Sequence, residues 1–219
     1  MIFYLGQPSI LLGLALGLVT AVLVHNIAQA VAAKAAGDPA ARMARQITAD
    51  PRRQLEPFGV IAMVVAGLGW GRPVALTEPR RGGRVGRYIA TVLTGPLAAV
   101  VLGVLYLGLF ALARGPDEGV GPDFLATMLF TAGVVSIAVA VLHLVPLPPL
   151  DGARIMWALA PPTPGWQKAR YNLEEQNYGL GALIVLLLPI FGNRGLVARM
   201  VDAVTEPVVE PILELFGAG

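Results

Sequence analysis

The sequence predicts an all-α membrane protein, a polytopic bundle of about four to five transmembrane segments. Two observations predict it. Of the 219 residues 56% are hydrophobic and only 14% charged, where a water-soluble domain carries about a quarter of its residues charged. The apolar residues are also gathered into uncharged runs, from Met1 to Ala33, Tyr88 to Ala113 and Phe124 to Leu150. Each exceeds the roughly 20 residues that cross a hydrocarbon core. A shorter run, Tyr178 to Gly192, suits a tilted or partial span.

The elements follow in order. The first helix is expected over Ser9–Ala36, stopped by Gly37-Asp38-Pro39, a strong helix terminator. Gly13 and Gly17 form a small-xxx-small pair suited to close helix packing. Ala28-Gln29-Ala30 resembles a signal cleavage site, but the run lacks a basic leading region and its apolar stretch is too long for a signal. It reads as a retained span. Pro57 to Gly71 is apolar, too short to cross, and flanked by basic residues at both ends. Two readings fit it equally, a re-entrant hairpin covered by protein or an interfacial segment. Further helices are expected over Arg87–Ala113, with Thr94-Gly95-Pro96 inside, and Phe124–Val145. The second of these breaks at Pro146, Pro148 and Pro149, because proline lacks the amide donor and clashes with the preceding turn. The tail puts Arg199, Asp202, Glu206, Glu210 and Glu214 on one side and aliphatic residues on the other, a membrane-surface pattern that Pro207 and Pro211 should cut into short pieces. The expected organisation is a transmembrane domain over 1–193 and an amphipathic tail over 194–219.

Charge is informative by location. Ten of the 16 basic residues lie between Lys34 and Arg87, against the acids Asp38, Asp50, Glu56 and Glu78, whereas Arg114–Asp123 is net acidic. Excess lysine and arginine marks the cytoplasmic side. The expectation is a multi-pass protein of the cell membrane with its N-terminus outside and the 34–87 region cytoplasmic. Arg80, Arg81, Arg84 and Arg87 serve as a topology signal or meet anionic lipid heads, and nucleic acid is excluded as a partner. With no cysteine, any metal must be held by oxygen or imidazole ligands.

The chemistry is sought among polar residues in apolar surroundings, which are costly in a bilayer and mark function by default. His25-Asn26-Ile27-Ala28-Gln29 has the spacing of the His-Glu-x-x-His helix of zinc peptidases, whose histidines share one face and whose glutamate is the general base. Asparagine stands at the glutamate position and glutamine at the second histidine position. His143 and Asp151 come to a similar depth from the far end of another helix. For each residue a structural role competes: a carbonyl or Gln29 bonded to His25, a satisfied histidine near the interface at 143, and a helix cap at Asp151.

The order of motifs resembles the site-2 protease family, the intramembrane zinc metalloproteases, over roughly residues 10–190. After the His25 helix come Gly37-Asp38-Pro39-Ala40-Ala41, Asp50-Pro51-Arg52-Arg53-Gln54-Leu55-Glu56-Pro57 and Gly69-Trp70-Gly71-Arg72-Pro73-Val74. Thr94-Gly95-Pro96 and His143-Leu144-Val145-Pro146-Leu147-Pro148-Pro149-Leu150-Asp151-Gly152 complete the series. The resemblance implies zinc held by the two histidine positions and Asp151, with the residue at 26 activating water. This chain keeps His25 and Asp151 and departs at Asn26, Gln29, Gln54 and His143. Catalytic zinc needs three protein ligands and an open position. An amide cannot take a proton, and general-base assistance is worth about 10²–10⁴-fold in rate.

The leading expectation is therefore a catalytically impaired homologue, with zinc weak or absent, that binds or regulates a transmembrane segment of another membrane protein. The alternative is an active protease with a rearranged His25, His143, Asp151 ligand set, Gln29 adding a weak oxygen. A weaker alternative is a small transporter or channel subunit.

Overall fold

Three helices carry the architecture: α1 (Pro8–Ala35), α5 (Val85–Arg114) and α6 (Phe124–His143), each long and apolar enough to cross a membrane. Between α1 and α5 lie the short α2 (Pro39–Met43), α3 (Pro51–Gln54) and α4 (Pro57–Ala66). After α6 come α7 (Asp151–Leu159), α8 (Pro164–Arg170), a π-helical turn (Tyr171–Glu175), α9 (Tyr178–Leu187) and α10 (Leu196–Leu215). The computed structural model describes residues 6–43, 46–79, 83–114, 124–188 and 195–217. Among these no strand occurs, only the bridge between Leu55 and Gly71. Arg80, Arg81, most of the acidic 114–123 connection and the end of the fifth apolar run lie outside the described residues.

The long helices pack through small residues. A β-carbon added at Gly17 would stand 2.7 Å from the Ala132 carbonyl oxygen, and one at Gly13 would stand 2.6 Å from that of Met128. Those approaches put α1 and α6 side by side and parallel. Gly103 of α5 faces Gly133 and Ile137, whereas Gly95 faces His25, so α5 runs antiparallel to both. The backbones meet this closely because no side chain stands between them, the device helices use where solvent exclusion gives them no drive to associate.

The Pro57–Gly71 segment is a hairpin. Glu56 caps α4 by accepting the Gly59 amide, Gly67 closes the helix at φ 78, and the return leg buries Leu68 and Trp70. The Leu55–Gly71 bridge brings its two ends to the same level.

The tail corrects one expectation. Pro207 and Pro211 do not break it: α10 continues through both for 20 residues. Proline's fixed φ is itself helical, and both prolines fall on the exposed side. The buried stripe Val197, Ala198, Val201, Thr205 and Val209 keeps packing against α6, α9 and α5. Two other boundaries shift slightly, with α6 ending at His143 instead of Val145 and α5 starting at Val85.

Beyond α1 the chain is tied back by Asp38. Its carboxylate accepts the Ala40 and Ala41 amides, and the Thr77 amide and hydroxyl at 2.9 Å each. Burial pushes the Asp38 carboxyl up, but the Thr77, Ala41 and Ala40 donors outweigh it and hold the pKa below 3.8. A depressed carboxyl contributes stability above its unfolded pKa and loses it as pH falls through the folded one. Thermal unfolding followed between pH 5 and pH 2 should therefore show a loss of melting temperature below about pH 4. That loss should be smaller in Asp38→Asn; identical pH profiles would remove Asp38 from the account.

Candidate functional site

His25, Asn26 and Gln29 are at most 2% exposed, in the half of α1 that leads to Lys34. His143 ends α6 and Asp151 begins α7, with the seven-residue proline-rich turn between them bringing the carboxylate back beside the imidazoles. His25 Nε2 lies 2.8 Å from Asp151 Oδ2. The His25 and His143 rings pack at 4.0 Å between centroids, tilted by 37°. A β-carbon at Gly95 would stand 2.6 Å from His25 Nε2, so only glycine leaves room for that ring against α5. The structure thus gathers His25, Asn26, Gln29, Gln54, His143 and Asp151 into one buried polar cluster.

The hydrogen bonds assign the protons. His143 Nδ1 is 2.8 Å from the Val139 carbonyl, which can only accept, so that nitrogen carries the hydrogen. Asn26 Nδ2 donates to Gln54 Oε1 at 3.0 Å and to the Arg72 carbonyl at 3.2 Å. Its oxygen is left to accept from His25 Nδ1 at 3.1 Å. With Nδ1 turned to Asn26, Nε2 is the His25 nitrogen that faces the Asp151 carboxylate, at ion-pair distance. The direction of the contact matches no hydrogen bond for either atom, so the distance identifies the pair better than the angle does.

Gln29 has a different task. Pro96 sits inside α5 and cannot donate to the carbonyl four residues earlier, that of Val92. Gln29 Nε2 donates to this carbonyl at 2.9 Å. Its Oε1 accepts from Arg154 Nη1 at 3.3 Å. Both ends of the amide are engaged away from the His25–Asp151 pair.

The donor set can be tested against zinc. His25 Nε2 and Asp151 Oδ2 are buried without directed hydrogen bonds and could serve as two ligands. Gln29 is turned to Val92 and Arg154, and His143 lies ring against ring with His25. Among the described residues no group of three or more His, Cys, Asp or Glu side chains is arranged to hold a metal ion. Two ligands fall short of the three protein ligands a catalytic zinc requires, so the residues present do not fit that group.

One participant, Arg154, is not evident from the motifs, whereas Gln54 belongs to one of them. Arg154 donates to the Val74 carbonyl at 2.7 Å and lies 3.7 Å from Asp151 Oδ1. Its signal is an arginine three residues after an aspartate, a spacing that puts both on one helix face. Gln54, buried on α3, receives Asn26 and donates to the Gln46 and Thr48 carbonyls. Asn26 and Gln54 thus satisfy each other.

No family model matches the chain, and no solved structure matches it. The chain is similar to a protein of Bacillus subtilis (strain 168) named "Putative zinc metalloprotease YwhC", 27% identical over 220 residues that cover 90% of this chain and 94% of that one. Three of its own helices are long and apolar enough to span a bilayer, and the likeness to a protein named as a zinc metalloprotease extends over nearly the whole chain.

Proposed function

We propose that this chain is a catalytically impaired homologue of the intramembrane zinc metalloproteases of the site-2 protease family, which holds a transmembrane segment of a partner protein instead of cleaving it. One observation carries the reading. The side chain at the general-base position is the Asn26 amide, and both of its ends are committed, to Gln54 and Arg72 on one side and His25 on the other. An amide so placed takes no proton from water. That no third His, Cys, Asp or Glu is arranged with His25 and Asp151 among the described residues supports the same conclusion, and the similarity to a protein named as a zinc metalloprotease supports the ancestry.

The competing reading is an active protease using His25, His143 and Asp151. Its favouring observation is the pair of undirected atoms, His25 Nε2 and Asp151 Oδ2. Metal analysis of detergent-purified protein separates the two. Zinc far below one equivalent per chain is expected, with no cleavage of a model transmembrane substrate that nevertheless cross-links to the protein. Stoichiometric zinc, lost in His143→Ala, together with substrate cleavage would overturn the proposal. The orientation follows the positive-inside pattern, with the basic 34–87 region cytoplasmic.

A further inference from the structure

Beside the first turn of α5 is a cleft of about 300 Å³, lined by Ala33, Ala36 and Gly37 from the end of α1, Leu76–Pro79 from the returning segment, and Arg84, Arg87, Tyr88 and Thr91. Two carboxylates also line it, Asp38 and Glu78. Both are engaged within the chain, Glu78 by a cation and Asp38, which keeps its charge, by uncharged donors. Asp38 is bound by the Ala40, Ala41 and Thr77 donors, and Glu78 is held by the Arg170 guanidinium. That interaction lowers the Glu78 pKa, which keeps the acid paired and ionised. Arg84 and Arg87 are exposed and form no ion pair within the described residues. No acidic side chain occupies the first turn of α5, so the positive end of its dipole adds to theirs.

Depth selects the occupant. The uncharged run of α5 starts at Tyr88, one residue past Arg87, so the arginines sit where the apolar span begins. At that level the abundant anion is the phosphate of a lipid headgroup, and basic pockets between membrane helices are suited to bind such groups. Beside the arginines the cleft presents the apolar Ala33, Ala36 and Leu76, a surface that an acyl-bearing ligand uses and a free anion does not. We infer that the cleft between the end of α1 and the start of α5 binds the glycerophosphate headgroup of an anionic phospholipid through Arg84 and Arg87. This inference stands apart from the catalytic reading and does not depend on it.

Native mass spectrometry of the full chain, titrated with phosphatidylglycerol or phosphatidylcholine, reads the site directly. The wild type should retain phosphatidylglycerol preferentially. Arg84→Gln plus Arg87→Gln should weaken that retention about twenty-fivefold, at about fivefold per arginine. Arg52→Gln plus Arg53→Gln removes the same charge from exposed α3 and should leave the preference unchanged. The inference fails if phosphatidylglycerol shows no advantage, or if the two double variants lose it equally, which would mean charge alone. Competition by inorganic phosphate at comparable concentration would assign the cleft to a free anion and also overturn it.

Discussion

Asn26→Asp should destabilise the protein by about 3–5 kcal/mol, the cost of an uncompensated buried charge. The change is almost isosteric, so packing is preserved and only hydrogen bonding and charge are altered. In the wild type Asn26 Nδ2 donates to Gln54 Oε1 and the Arg72 carbonyl. A carboxylate oxygen there would confront two acceptors. Gln54 cannot relieve the clash by turning over, because its own Nε2 is held by the Gln46 and Thr48 carbonyls at 2.6 and 3.0 Å. Asn26→Ala should cost less, about 1–3 kcal/mol for the unsatisfied partners it leaves. Thermal unfolding in detergent provides the comparison, and an aspartate variant as stable as the alanine one would refute the hydrogen-bond assignment. The same geometry bears on reactivation. A glutamate at 26 meets the same acceptors, so Asn26→Glu with Gln29→His should recover neither stability nor proteolysis unless Gln54 is also changed to a donor such as histidine.

Loss of the imidazole at position 25 is the second large effect. His25→Ala should cost about 3–5 kcal/mol, because it strands the Asp151 carboxylate in a buried site with Arg154, 3.7 Å away, as its remaining ion-pair partner among the described residues. It also empties the space between Gly95 and His143, and cavities of this kind add to the cost. Adding Asp151→Asn to His25→Ala should restore part of the stability, since a neutral amide needs no counter-charge. A double-mutant cycle measures the coupling, and contacting pairs of this sort give about 0.5–3 kcal/mol. Strict additivity would mean that His25 and Asp151 do not interact.

Much of this arrangement is legible in the chain itself. The spans are visible because an uncharged run has no reason to exist in water. The meeting of His25 with Asp151 follows from helix direction: α1 and α6 run the same way, so residues near their far ends share a level. The role of Gln29 is not legible. It depends on α5 lying beside α1 at the one register where the Val92 carbonyl faces position 29, and no periodicity in either helix encodes that. Arg154 shows in the sequence only through its spacing from Asp151, since its hydrogen-bond partners, Gln29 and Val74, are 125 and 80 residues away. The persistence of α10 through two prolines is a tertiary effect, since the stripe that holds it is buried by α5, α6 and α9.

The bond from Gln29 to Val92 also has a mechanical meaning. A proline within a long helix is a natural flexing point, and here the neighbouring helix splints it with a single amide. For α5 to slide by one turn, about 5.4 Å, that splint would have to let go and expose a bare carbonyl in an oily interior. Sliding between the first and fifth helices is therefore opposed by the cost of an unsatisfied buried carbonyl, about 1–3 kcal/mol.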